Sequence, residues 1–346
     1  MEQLYADNKK EGAADDKQSS GNNFIEIKPT IRTVNSIIHA HAKRVQELME
    51  VRDIDAARKV AREAEEFLDL MKERYEQTQD PDHMPDVMTY TTVMDTYGRC
   101  GRYGSTRRAQ SLLEELKALY AKKKDSKLKP NVRTYTSLIT AWSKTRSPDS
   151  PREAERLLEE MNESSDIAVQ PNARSYTAAI HAWARSADHT KAQRALKLLQ
   201  TMKAEYKKTG RDELKPTLIS YNAALDSCAR CQGDLQQQTD ALKIAFAIFK
   251  AIGVEADMEA NSTTYAALLR AISFLLQPGG ERNNLAKMVF EKAKKAGMVD
   301  FRVMLQLKKS ADSLLFLELL KDDLPLDRNG NFDFNNVPPN WARNVR

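Results

Sequence analysis

A stretch of thirteen residues, VMTYTTVMDTYGR at 87–99, returns as VRTYTSLITAWSK at 132–144, ARSYTAAIHAWAR at 173–185 and LISYNAALDSCAR at 218–230. Self-similarity at a period of tens of residues restricts the fold severely. One such unit cannot bury its apolar face alone, so the copies must stack into an open array. Every copy contains a Tyr (Tyr90, Tyr135, Tyr176, Tyr221), then Thr or Asn (Thr91, Thr136, Thr177, Asn222), and a cation nine positions beyond the Tyr (Arg99, Lys144, Arg185, Arg230).

Within a copy the apolar residues fall at i, i+3, i+4 and i+7, as in Tyr135, Leu138, Ile139 and Trp142, which predicts one helical face. A second helix follows, with an Ala for close approach and two or three large apolar residues: Ala109, Leu112, Leu113, Leu116; Ala154, Leu157, Leu158, Met161; Ala195, Leu198, Leu199, Met202. It ends at a Pro followed by a cap for the next helix, as in Pro130 and Asn131, Pro171 and Asn172, and Pro216 and Thr217. The pattern extends to 31–43, with Val34 in place of Tyr but Asn35 and Lys43 retained, and to 262–274, where Ala266 and Phe274 fill the polar positions.

The expected fold is therefore all-α: an α-solenoid of about six helix-turn-helix hairpins over residues 29–300, with repeats starting near 31, 87, 132, 173, 218 and 262. The apolar stretch 301–321 is expected to form C-terminal capping helices, and 1–28 and 322–346 to be tails, the first of them disordered.

With 41% apolar and 30% charged residues and only 12 Gly and 12 Pro, the composition suits long helices. No apolar run approaches the roughly 20 residues of a membrane span, so a soluble chain is expected. The net charge of +5 favours a polyanion only if the cations share a face. Three cysteines make no disulfide framework, which points to a reducing compartment. Six acids among the first 28 residues argue against an organelle-targeting leader at this position.

Residues at i, i+4 and i+8 form a row along one side of a helix. The rows read Asn35, His39, Lys43; Thr91, Asp95, Arg99; Thr136, Thr140, Lys144; Thr177, His181, Arg185; and Asn222, Asp226, Arg230. A short hydrogen-bonding group and a cation, once per repeat, suit a base edge beside a phosphate. Helix capping by Thr or Asn and a cation at the helix C-terminal dipole would account for the same residue types.

The Thr-Tyr-Thr or Ser-Tyr-Asn signature, the Ala-Leu-Leu-Met second helix and the Lys/Gln-Pro-Asn closing turn together resemble the pentatricopeptide repeat (PPR) family, of the type built from repeats alone, over about 31–297. The resemblance implies that each repeat addresses one base of single-stranded RNA through the residue after the Tyr and the last residue of the repeat. The implied base-reading pairs are Asn35 with Asp86, Thr91 with Asn131, Thr136 with Asn172, Thr177 with Thr217, and Asn222 with Asn261. They would read U, A, A, an unassigned base, and C or another pyrimidine. The implied base-flanking residues are Arg32, Met88, Arg133, Arg174 and Ile219, and the implied phosphate contacts are Lys43, Arg99, Lys144, Arg185 and Arg230. The family acts by occupancy in RNA processing, stability or translation in mitochondria or plastids; a presequence would then lie upstream of this chain. Copies starting 41 to 45 residues apart, with a first gap of 56, exceed the family unit of about 35. A longer second helix or exit is expected.

The alternative is a tetratricopeptide-like scaffold holding a protein or peptide in the same groove, although a peptide gives no reason for the repeated Thr/Asn and cation. A protein partner recruited by the solenoid is compatible with either. No catalytic nucleophile with its base, phosphate loop, deaminase motif, cofactor motif or small-molecule site is evident, so no enzyme is expected. The lone Cys228 and Cys231 pair lacks a second pair at zinc spacing, and no metal site is expected. Trp142, Trp183 and Tyr97 occupy core positions, and the lysines at 122–124, 127 and 129 suit a solvated face or a phosphate rim.

Overall fold

A computed structural model of the chain describes residues 30–229, 231–254, 258–321, 323–324, 332–334 and 336–345. The expected tail 1–28 and Arg230 lie outside these residues. Six helical hairpins follow one another: α1 (Ile31–Glu50) with α2 (Ile54–Thr78), α3 (Val87–Arg99) with α4 (Tyr103–Lys123), α5 (Val132–Lys144) with α6 (Ser150–Glu163), α7 (Ala173–Ala184) with α8 (Lys191–Thr209), α9 (Leu218–Cys228) with α10 (Leu235–Val254), and α11 (Ser262–Leu275) with α12 (Gly280–Ala296). The short α13 (Phe301–Ser310) and α14 (Ser313–Leu320) add a seventh, and α15 (Pro339–Ala342) closes the chain. The architecture is an all-α solenoid.

The first helices of the hairpins pack side by side in chain order, and α13 continues that row. Each second helix packs between its own first helix and the next one, forming an outer layer. The buried alanines Ala109, Ala154 and Ala195 let the layers approach, and the Leu and Met residues after them fill the gap. The long repeat resolves accordingly. From α3 to α11 the inner helices keep 11 to 14 residues, whereas the outer α2, α4, α8 and α10 have 25, 21, 19 and 20. The extra length is carried outside, apart from the 20-residue α1.

Recurring polar links tie the layers together. Tyr90 donates to Glu115 at 2.8 Å and Tyr135 to Glu160 at 2.6 Å, and each carboxylate also meets a lysine of the preceding outer helix, Lys72 or Lys117, at 2.7 Å. Burial alone would raise the Glu160 carboxyl, but the bonds from Lys117 and Tyr135 outweigh it and hold the group below its ordinary range. One level away, Tyr97 donates to Glu65 and Trp183 to Glu155, both carboxylates belonging to the preceding outer helix.

Inner helices α3 and α5 are in close contact where Gly98 faces Ala141: a Cβ on Gly98 would stand 2.7 Å from the Ala141 Cβ. Gly98→Val is therefore expected to destabilise the protein by about 1–3 kcal/mol through overpacking, read as a lower urea midpoint. An unchanged midpoint would show that α3 and α5 can separate freely.

One expectation is corrected at the C-terminus. The described part of 322–346 is not a free tail. Trp341 is buried edge-on to Phe290 with centroids 5.6 Å apart, and its carbonyl accepts from the Val299 backbone at 2.9 Å. Phe332 and Phe334 pack on Phe316. These aromatic residues drive docking that a composition rich in Asp, Asn and Pro concealed.

Candidate nucleic-acid interface

Each inner helix from α3 to α11 opens with a side-chain cap. Asp86, Asn131, Asn172 and Asn261 each accept a backbone N–H of the first turn through one oxygen, at 2.8, 3.2, 3.0 and 3.0 Å to the third helical residue. Thr217 shares the arrangement with Ser220. Since a backbone N–H requires an acceptor, the amide oxygen must face the helix. The other atom, Nδ2 of Asn131 and Asn172 or Oδ2 of Asp86, makes no bond among the described residues. The cap thus fixes whether a donor or an acceptor is left at the helix mouth.

The residues after the Tyr lie deeper than an open row of ligands would. Thr91 is 4% exposed and Thr136 6%, whereas Asn35, Thr177 and Asn222 are half-buried. The Thr91 hydroxyl bonds Thr134 of the next inner helix at 3.0 Å, Thr177 bonds Ser220 at 2.8 Å, and Asn222 accepts from Thr264 at 2.8 Å. These are rungs across the seams between repeats. Two rungs are missing. Among the described residues Thr136 Oγ1 and Asn35 Oδ1 are buried without a partner, since Ser175 bonds the Asn172 carbonyl and Thr89 bonds Asp86. An unpaired buried oxygen costs about 1–3 kcal/mol, a penalty that a donor entering the groove would relieve.

A groove of ≈ 960 Å³ runs along the inner helices, walled by α1, α3, α5, α7 and the start of α9. It brings together Thr91, Arg99, Arg133, Thr136, Asn172, Arg174, Thr177, Thr217 and Ile219 from the sequence reading. Asn35, Asp86, Asn131, Asn222 and Asn261 do not line it. The flanking side chains Arg32, Met88, Arg133, Arg174 and Ile219 are all exposed.

The cations lie at the opposite ends of the inner helices and differ in their commitments. Arg99 pairs with Asp95 at 2.8 Å and donates to Gln46. Arg185 donates to the Ser143 carbonyl at 2.8 Å, so it meets the C-terminal turn of the neighbouring inner helix α5 and not that of its own helix. Lys43 and Lys144 are exposed and make no hydrogen bond or ion pair among the described residues. Desolvation around the Lys144 ammonium, with Arg99 and Arg185 nearby, holds its pKa below the ordinary lysine value against the pull of Asp95. An anion placed there would be doubly favoured. A second hollow of ≈ 350 Å³ opens between Arg99, Lys144 and the overlong end of α1.

The sequence reading placed the middle residue of each row on the same helix face but gave it no role. Asp95, Thr140 and His181 line the groove directly, and their signal was the i+4 spacing from the Thr. His39 lines it too, whereas His41 turns to the Ile37 carbonyl and Phe67. Cys228 and Cys231 are buried with thiols raised by burial, Cys228 to about 12. Among the described residues, no group of three or more His, Cys, Asp or Glu is placed to hold a metal ion, and no helix is long and apolar enough to cross a membrane.

No curated protein matches the chain. The family model of the pentatricopeptide repeat domain matches residues 156–230, from within α6 through α7 and α8 to the end of the fifth inner-helix motif. Such domains are typically non-catalytic, and the family implies an RNA partner. Residues 156–230 are thus similar to a pentatricopeptide repeat domain, and stacked hairpins carrying the same signature lie on either side of that segment.

Proposed function

We propose that the protein binds single-stranded RNA along the inner-helix groove and across the helix mouths beyond its lining, selects its sequence through the cap residues at those mouths, and acts by occupancy in organellar RNA processing, stability or translation. The observation that carries this reading is the cap geometry. One polar atom of Asp86, Asn131 and Asn172 is held by the helix and the other is left over, while cations stand at the far end of the same helices. Asp86 leaves an acceptor, suited to the ring N–H of U or G, and the Asn caps leave a donor, suited to the unprotonated ring nitrogen of A or C. The exposed Arg133 and Arg174 guanidiniums offer planes on which bases can stack. At about 1–3 kcal/mol per stacked base before ordering costs, five reading repeats give moderate affinity. Recruitment of a protein partner would add to it. Residence in a mitochondrion or plastid follows the family's common habit.

The test is titration with short RNA oligomers at two salt concentrations. Binding should weaken with salt, and Lys144→Ala should lower the slope of log K against log salt by about 0.7 whatever the sequence bound. An affinity independent of salt and of Lys144 would reject the phosphate path and favour a peptide in the groove.

A further inference from the structure

His181 stands at the middle of the α7 row, one turn after Thr177 and one turn before Arg185, and lines the groove. Its imidazole makes no hydrogen bond or ion pair among the described residues. Thr177 beside it is engaged twice, with the Ala173 carbonyl at 2.6 Å and with Ser220. In this repeat the side chain after the Tyr is thus occupied, and the half-buried imidazole is the neighbouring polar group left over. Resting on the RNA-binding reading, we propose that His181 is a phosphodiester-binding residue that, with Arg185 and Lys144, takes up a proton as the RNA backbone enters the groove.

The charges around it set the direction. Desolvation, followed by the Arg185 guanidinium, disfavours the imidazolium in the free protein; Asp226 of α9 pulls the other way. That carboxylate is engaged by Arg270 of α11, which blunts its effect. From α5, Lys144 adds positive charge beside Arg185. The outer helices α6 and α8 supply none of the groups acting on the ring. A phosphate at Arg185 and Lys144 cancels the repulsion and accepts a hydrogen bond from the imidazolium. The imidazole pKa is then higher in the complex than in the free protein. Between the two values binding takes up a proton, so affinity rises as pH falls through the bound-state value and levels off below the free-state value.

The experiment measures affinity for a short single-stranded RNA at pH 8 and pH 6 and constant salt, in the wild type, His181→Asn and, as a control whose ring is turned away from the groove, His41→Asn, and follows the histidine ring resonances of the wild-type protein with and without RNA. The wild type and His41→Asn should bind about fivefold more tightly at pH 6, with His181→Asn flat and the His181 resonance titrating at higher pH when RNA is bound. RNA binding with an unmoved His181 titration overturns this inference and leaves the RNA reading standing, as does a pH dependence that survives in His181→Asn. Absence of RNA binding at either pH overturns the reading beneath it.

Discussion

Asn131→Asp is expected to move the base preference of the second repeat from A toward G, with a swing in the A:G affinity ratio of up to about a hundredfold. The fold should survive, because Asp caps a helix as well as Asn and one carboxylate oxygen can take over the bonds from the backbone of Arg133 and Thr134. The atom left over changes from an N–H donor to a carboxylate acceptor. The unprotonated ring nitrogen of A then loses its donor, whereas the ring N–H of G gains an acceptor. Each change is worth about 1–1.5 kcal/mol, and the two add in the ratio. The added negative charge weakens binding to every sequence alike and cancels there. Oligomers that differ only at the second read base, compared at one salt concentration, give the measurement. An unchanged preference would reject the assignment of Asn131 as a reading residue.

Trp142→Ala carries the largest expected loss of stability, about 3–5 kcal/mol. Trp142 is fully buried at the last turn of α5, edge-on to Tyr103 with centroids 6.0 Å apart and with the Arg107 guanidinium over its ring. Its indole N–H has no hydrogen-bond partner among the described residues, so the substitution removes volume and dispersion contacts without breaking a hydrogen bond there. In a stacked array each repeat is stabilised mainly by its neighbours. A cavity at the junction of the second and third hairpins should therefore uncouple the array, and a single unfolding transition should split into two. Circular dichroism against urea reads both effects. One transition with a midpoint close to the wild type would show that stability is not passed along through this contact.

Helix positions, the hairpin order and the core were legible because each rests on local rules. The i, i+3, i+4, i+7 spacing of Tyr135, Leu138, Ile139 and Trp142 specifies a buried face whatever the neighbour is. The Pro and Asn before each inner helix specify where it starts. The site was legible only in part. The row of Thr91, Thr136, Thr177 and Asn222 was identifiable as a row, but a helical wheel gives an angle around one axis and says nothing of where the adjacent helix stands. The hydroxyls of Thr91 and Thr177 lie in the seams because the next inner helix offers Thr134 and Ser220 there. His181, one turn further on, was legible as a member of the row by its i+4 spacing, but its place in the groove depends on how the neighbouring inner helices stand.

The C-terminal segment makes the same point from the packing side. Trp341, Phe332 and Phe334 are scattered through a polar stretch, and only the exposed end of α12 to α14 gives them a surface to cover.

The order of residues alone was enough for the repeating all-α hairpin, its caps and its buried stripe, because these depend on interactions within one turn or one hairpin. Which polar atoms are consumed between repeats and which are left facing the groove was settled by the stacking of one inner helix on the next. The reason is geometric: a rung such as Thr91 to Thr134 joins residues 43 positions apart, and it exists only once two helices have been brought within hydrogen-bonding distance.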